Sequence, residues 1–211
     1  MIVCFDLDGT LVDTEKWIVD AILVTLKKHK LKITKKVIYS HWGEVLHVSL
    51  RKVFPKLKNQ EIEEIIKDFE KERKRTRNKI RPFKNTKRIL RQLSKKYTLC
   101  LLSNNPHNVI NNILKTSKID KKLFSTIIGN DEVKRPKPFP DEIYKAEKKF
   151  GKKVKFMVGD SRQDIITSKR AKVKSIIILT TPKNYWKNLK DADYRIKDIT
   201  DIPSLLKEVD K

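Results

Sequence analysis

Four short segments of this chain carry reactive side chains just beyond apolar runs. Asp6-Leu7-Asp8-Gly9-Thr10 follows residues 2–5, and Ser103-Asn104-Asn105 follows residues 98–102. Lys134-Arg135-Pro136-Lys137-Pro138 comes shortly after residues 126–129, and Gly159-Asp160-Ser161-Arg162-Gln163-Asp164 follows residues 154–158. Their union is three or four carboxylates, a hydroxyl and a lysine. Carboxylates packed together resist ionisation unless a cation neutralises them. Oxygen donors with open water positions suit Mg²⁺, and an ammonium among them suits a phosphate dianion. Brought together, these groups are equipped for metal-assisted phosphoryl chemistry.

They converge only if the runs before them lie side by side. Residues 2–5, 98–102, 126–129, 154–158 and 175–179 are short and β-prone. Amphipathic patterns fill the gaps at 86–96, 107–116, 141–150 and 162–172. This alternation predicts βαβ units and a parallel sheet covered on both faces. Ligands of such sheets bind beyond the carboxyl ends of the strands, which is where the reactive segments fall. Residues 192–198 predict a sixth, edge strand. Residues 201–209 predict a closing helix, with Asp201 as a cap and Pro203 in its first turn.

One stretch breaks the alternation. From Thr14 to about Arg81 the apolar spacing is helical, over 15–30, 44–54 and 59–78, and Pro82 closes it. Gly43 suits a bend between two of these helices. The predicted fold is α/β, a Rossmann-like parallel sheet core (1–13 and 83–211) with an inserted α-helical cap (14–82).

Composition narrows the class. The chain has 211 residues and 38% hydrophobic content, enough for a packed core. No apolar run reaches the ~18–20 residues that span a bilayer, so no membrane partner is expected. The first residues lack a secretory pattern, and two cysteines make neither a disulfide framework nor a zinc site. A cytoplasmic location is the expectation. With 50 Lys+Arg against 26 Asp+Glu, the net charge is +24, a field that attracts polyanions. The basic residues are spread along the chain, however, and the densest run, Lys71 to Arg81, has no interleaved aromatics. A nucleic-acid partner is therefore not favoured. Glycine loops of the dinucleotide or Walker type are absent.

DLDGT at 6–10, the run ending at Ser103, KPFP at 137–140 and GDSRQD at 159–164 together resemble the four motifs of the haloacid dehalogenase superfamily, in order and over essentially the whole chain. The insert after the first motif resembles that of members with a small helical cap, such as phosphoglycolate phosphatases and β-phosphoglucomutases. The resemblance implies a nucleophilic Asp6 that forms an aspartyl-phosphate. It implies that Asp8 is the general acid and then the base, and that Lys137 neutralises charge. Mg²⁺ would be held by Asp6, the Asp8 carbonyl oxygen and Asp160, with Asp164 orienting Lys137 or a metal-bound water. Thr10 would brace the turn beside the phosphate, and Ser103 and the Asn104 backbone N–H would hold phosphate oxygens. Arg51 in the insert would meet a distal anion of the substrate. An acid at position 8 favours phosphate ester chemistry over dehalogenation.

The implied activity is hydrolysis of a small phosphorylated metabolite, phosphoglycolate being the first candidate. Transfer within a sugar phosphate and dephosphorylation of nucleic-acid ends are the alternatives, and the sequence leaves the oligomeric state open. The chain departs from the family at Ala171-Lys172, where an Ala-Gly pair usually ends the helix. Simpler roles compete at several positions. Asp131 and Asp141 read as turn or cap residues, Ser103 has capping of the helix from His107 as its alternative, and Arg135 is a possible substitute for Lys137. Cys4 and Cys100 read as core thiols, His47 as a surface residue, and Trp17, Trp42 and Trp186 as packing residues.

Overall fold

A computed structural model describes residues 1–180 and 189–209. Six strands form one parallel sheet in the order β5-β4-β1-β6-β7-β8. They are β1 (Ile2–Phe5), β4 (Thr98–Ser103), β5 (Thr126–Gly129), β6 (Val154–Gly159), β7 (Lys174–Ile178) and β8 (Tyr194–Ile196). Five helices follow the strand alternation: α5 (Thr86–Ser94), α6 (His107–Ser117), α7 (Asp141–Phe150), α8 (Arg162–Ala171) and α9 (Ile202–Val209). The edge strand is shorter than the expected 192–198, and a 3₁₀ turn at Ile199–Asp201 precedes α9. Trp186 lies outside the described residues.

The strands read as unbroken apolar runs because both faces are buried. Val3 and Phe5 point into one core with Leu99, Leu101, Val158 and helix residues such as Ile89 and Ile110. Ile2 and Cys4 point into the other, with Cys100, Leu102, Met157 and Ile143 of α7. Cys4 and Cys100 sit opposite each other on β1 and β4, buried and unbridged. No described helix is long and apolar enough to cross a membrane.

Between β1 and β4 the chain leaves the sheet. It makes α1 (Glu15–Lys28), α2 (Lys35–Ser40), α3 (Leu46–Val53) and α4 (Asn59–Thr76). Leu26, Leu50, Ile62 and Ile65 form a small apolar core of their own. The exit and return are clasped by two short antiparallel strands, β2 (Val12–Asp13) and β3 (Arg81–Pro82). Two elements of this segment depart from the sequence expectation. The β2–β3 pair is two residues per strand, too short to show a period of two. α2 is six residues long, and its start is marked by Thr34, whose hydroxyl accepts from the Val37 N–H at 3.3 Å.

Candidate active site

The order of the strands fixes the site. β1 is central, and the chain runs outward from it to β4 and β5, then crosses back to β6 on the other flank. This reversal opens a crevice at the carboxyl ends of β1, β4 and β6. Phe5 is in register with Leu101 and Val158, and the Asp6 N–H extends the ladder to the Val158 carbonyl at 2.8 Å. Asp6, Ser103 and Asp160 therefore emerge on one rim, each a residue or two past the Phe5–Leu101–Val158 row.

Gly9 turns the chain after Asp6. Its φ is +78° and a Cβ there would run into the Asp160 carboxylate, so a side chain is excluded both by conformation and by space. Thr10 stands behind this turn, fully buried, donating its hydroxyl hydrogen between Asp6 Oδ2 (3.3 Å) and Asp160 Oδ1 (3.2 Å). It braces two carboxylates as expected of a turn residue. Its hydroxyl is committed to them rather than presented to a substrate. Thr180, just past β7, donates to the Gly9 carbonyl at 2.6 Å, a further support that nothing in its local sequence signals.

Lys137 and three aspartates form the charged centre. The Lys137 ammonium is buried and donates to Asp6 Oδ1 at 2.5 Å and Asp164 Oδ1 at 2.8 Å. Asp164 also accepts from the Ser161 N–H (3.1 Å) and hydroxyl (2.6 Å), closing a capping box on α8. Burial alone would push the Lys137 ammonium down, but Asp164 and Asp6 reverse that and raise its pKa. Burial pushes Asp6 up to about 7, against the pull of Lys137 and with Asp164 and Asp8 adding to the rise. Asp160 is also raised, by burial first and then by Asp6 and Asp164.

Oxygens of Asp6, Asp160 and Asp164 lie within 4.8 Å of one another. Three carboxylates face one ammonium, and two of them resist ionising without further positive charge. An all-oxygen donor set short of positive charge fits a hard divalent cation. Asp6 and Asp160 line the cleft, whereas Asp164 lies behind it on Lys137 and Ser161, which leaves Asp6 and Asp160 as the better-placed direct ligands. The Asp8 side chain stands outside this cluster, as a carbonyl ligand would allow. Its carboxylate accepts a hydrogen bond from the Asn105 amide, and its second oxygen is buried without a partner.

Ser103 is buried at the end of β4 and accepts from the Asn105 backbone N–H and side-chain amide, both at 3.2 Å. It does not cap α6. Asp131 does, accepting from the His107 N–H at 2.9 Å. Asp141 pairs with Arg135 at 3.0 Å, which keeps Arg135 outside the catalytic cluster. The Asn104 amide bridges the Gly43 and Lys137 carbonyls at 2.7 and 3.0 Å.

Across the rim stand the inserted helices, and three of their residues, Trp42, Arg73 and Arg51, depart from the sequence reading. Trp42 donates its indole N–H to Asp160 Oδ2 at 3.0 Å, so it does more than pack. Arg73, hidden in the densest basic run, is buried. Its guanidinium lies 4.6 Å from the Trp17 ring centroid, and it donates to Asn105 Oδ1 at 3.0 Å. Asn105 in turn donates to Asp8, so Arg73 reaches the acid through one amide. Its signal in the sequence was its spacing: Ile62, Ile66, Phe69 and Arg73 fall on one face of α4. Arg51 is exposed on α3 and does not line the cleft, whereas His47, read as a surface residue, sits at its edge.

Comparison with known proteins agrees with this geometry. Residues 3–178 match the family model of haloacid dehalogenase-like hydrolases. The pyrophosphatase PpaX of Oceanobacillus iheyensis is 30% identical over 210 residues, covering 97% of this chain and 95% of its own length. The Bacillus cereus pyrophosphatase PpaX is 26% identical, covering 99% and 97%. The crystal structure of a hydrolase from Pseudomonas syringae superposes with a TM-score of 0.88 at 22% identity, over 99% of both chains.

Proposed function

This chain belongs to the haloacid dehalogenase-like hydrolases, and we propose that it is a Mg²⁺-dependent phosphatase that takes a phosphoryl group onto Asp6 and passes it to water. The observation that carries this reading is the division of labour between two aspartates. Asp6 lies against Lys137 at 2.5 Å and within the carboxylate cluster, whereas the Asp8 carboxyl is turned away from that cluster toward Asn105. One is held for attack and the other is free to carry a proton.

In the first half-reaction an Asp6 oxygen forms a bond to phosphorus and the ester P–O bond breaks. Asp8 gives its proton to the departing oxygen. In the second half-reaction water attacks the same phosphorus, Asp8 takes its proton, and the Asp6–phosphorus bond breaks to release inorganic phosphate and the carboxylate. Lys137 offsets the negative charge between nucleophile and phosphoryl oxygens, and Asp164 holds Lys137 in line. Ser103 and the Asn104 backbone N–H bind phosphoryl oxygens from the β4 side. Mg²⁺, held by Asp6, Asp160 and the Asp8 carbonyl oxygen, would supply electrostatic stabilisation of the phosphoryl oxygens. Residues 14–82 act as the cap that covers the reacting group and keeps bulk water out.

The test is phosphate release from a panel containing phosphoglycolate, sugar phosphates and pyrophosphate, with and without Mg²⁺. Pyrophosphate is included because the PpaX relatives carry that activity in their names. The expected result is Mg²⁺-dependent release that falls by ~10³-fold or more in Asp6→Asn. Release that survives this substitution would refute the mechanism.

A further inference from the structure

The cleft does not stop at the phosphoryl site. A cavity of about 240 Å³ runs from Asp6, Asp8 and Ser103 up between the inserted helices. Its far walls are Ile22 of α1, Leu46, Leu50 and Val53 of α3, and Ile66 and Phe69 of α4. The direction of the substrate follows from Asp8. A leaving oxygen must lie beside that carboxyl to receive its proton, and Asp8 is linked through Asn105 to Arg73. Arg73 stacks 5.2 Å from the Phe69 ring centroid. From Phe69 the inner face of α4 continues to Ile66, so the body of the leaving group is led along apolar side chains.

The chain's positive surplus does not extend to this end, where Glu44 is paired with Lys52 and Glu70 with Arg73. Beyond Lys137, Arg73 is the one lysine or arginine among the described lining residues, and two of its donors go to Glu70 and Asn105 at 3.0 Å each. Glu44 and Glu70 also face the cleft. A second phosphate or a carboxylate placed here would be desolvated against aliphatic walls and near two acids, with half-committed arginine donors as its compensation.

We infer that the cavity is a leaving-group chamber for phosphate monoesters of uncharged, apolar-bodied alcohols, in preference to pyrophosphate or phosphoglycolate. This rests on the phosphatase reading of the same site. Each methylene buried in the chamber is worth about fourfold in kcat/KM until the chamber is full.

The experiment compares methyl, butyl and hexyl phosphate with phosphoglycolate and pyrophosphate on the full chain with Mg²⁺. The inference predicts kcat/KM rising at least tenfold from methyl to hexyl phosphate, and both anionic-leaving-group substrates below hexyl phosphate. Leu46→Phe and Ile66→Phe, two independent ways to fill the chamber, should lower the hexyl-to-methyl ratio at least fivefold. A flat series, or pyrophosphate or phosphoglycolate above hexyl phosphate, overturns it. Calorimetric binding of methyl- and hexylphosphonate separates the two levels. If nothing is hydrolysed but hexylphosphonate binds at least tenfold tighter, the chamber stands and the catalytic reading falls. Equal affinities remove the chamber whatever the catalysis.

Discussion

The rim of the sheet and the helices facing it enclose one cleft with opposite materials. On the rim, Asp6, Asp160, Asp164 and Lys137 are buried, and each is hydrogen-bonded to another of the four, to Thr10 or to Ser161. On the helical side the lining is largely aliphatic and half-buried. Among the described residues a few polar groups reach across: Trp42 to Asp160, Arg73 to Asn105, the Gly43 carbonyl to Asn104, and Glu44 to Gln163. A one-residue slip of these strands would send every side chain into the opposite core, so a rim built on them holds charges in fixed geometry. Helices packed through a small apolar core tolerate volume-conserving change, which suits the wall that selects a substrate.

If that contrast is right, damage to the rim costs most. Lys137→Met strands the Asp6 and Asp164 carboxylates without their buried counter-charge. We expect a loss of about 3–5 kcal/mol in urea unfolding without Mg²⁺, and no detectable phosphate release. A loss below ~1 kcal/mol would show that the charges are not held as tightly as the geometry implies.

The rim should also make stability depend on pH. Asp6 is raised in the folded protein to about 7, above its unfolded value near 4. Its contribution is fully present below the unfolded pKa and is lost as pH rises through 7. Glu142, buried on α7 and raised to about 8, acts in the same direction. Chelator-treated protein should therefore lose on the order of a few kcal/mol between pH 5 and 8. Asp6→Asn should flatten part of that slope, and Mg²⁺ should oppose it in the wild type. Melting temperatures across the pH range, with and without EDTA, decide this.

The contacts from the helical side should matter less. Arg73→Lys keeps the charge but not the planar fork shared between Glu70 and Asn105. We expect a loss of about 2 kcal/mol and a roughly tenfold fall in kcat through misplacement of Asp8. A loss equal to that of Lys137→Met would erase the contrast between the walls. Trp42→Phe removes one donor to Asp160 and should cost about 1 kcal/mol, with kcat changed less than about threefold. Smallest is Lys172→Gly, away from both walls. Lys172 ends α8 at φ +58°, and glycine there should raise stability by about 0.5–1 kcal/mol without affecting activity.

Lys172 shows how a sequence departure maps onto structure. The chain lacks the usual glycine, yet α8 still ends in a left-handed residue, with the Lys172 N–H bonded to the Lys169 carbonyl at 3.2 Å. The core strands were legible because burial on both faces leaves continuous apolar runs, and the reactive aspartates of the first and last motifs were legible because they closely follow one. The β2–β3 clasp and α2 were not, since two- and six-residue elements are too short to repeat the periods of two and 3.6 residues that reveal them. Arg73 and Trp42 were obscure for a different reason. Among 50 Lys+Arg residues, only its place on the apolar face of α4 marks Arg73 as inward, and nothing local gives Trp42 a partner on the sheet.

Asp6, Asp8 and Asp160 could be named from the sequence because they closely follow strand ends, and a strand end is a local event; Lys137, eight residues past β5, was named by its Pro-flanked place in a motif that resembles the family's. Which carboxylate meets the ammonium, which acid is set apart beside Asn105, and which arginine is buried in the cleft were decided by tertiary structure. These depend on contacts between residues 32 to 150 positions apart, and no local pattern records a pairing at that distance.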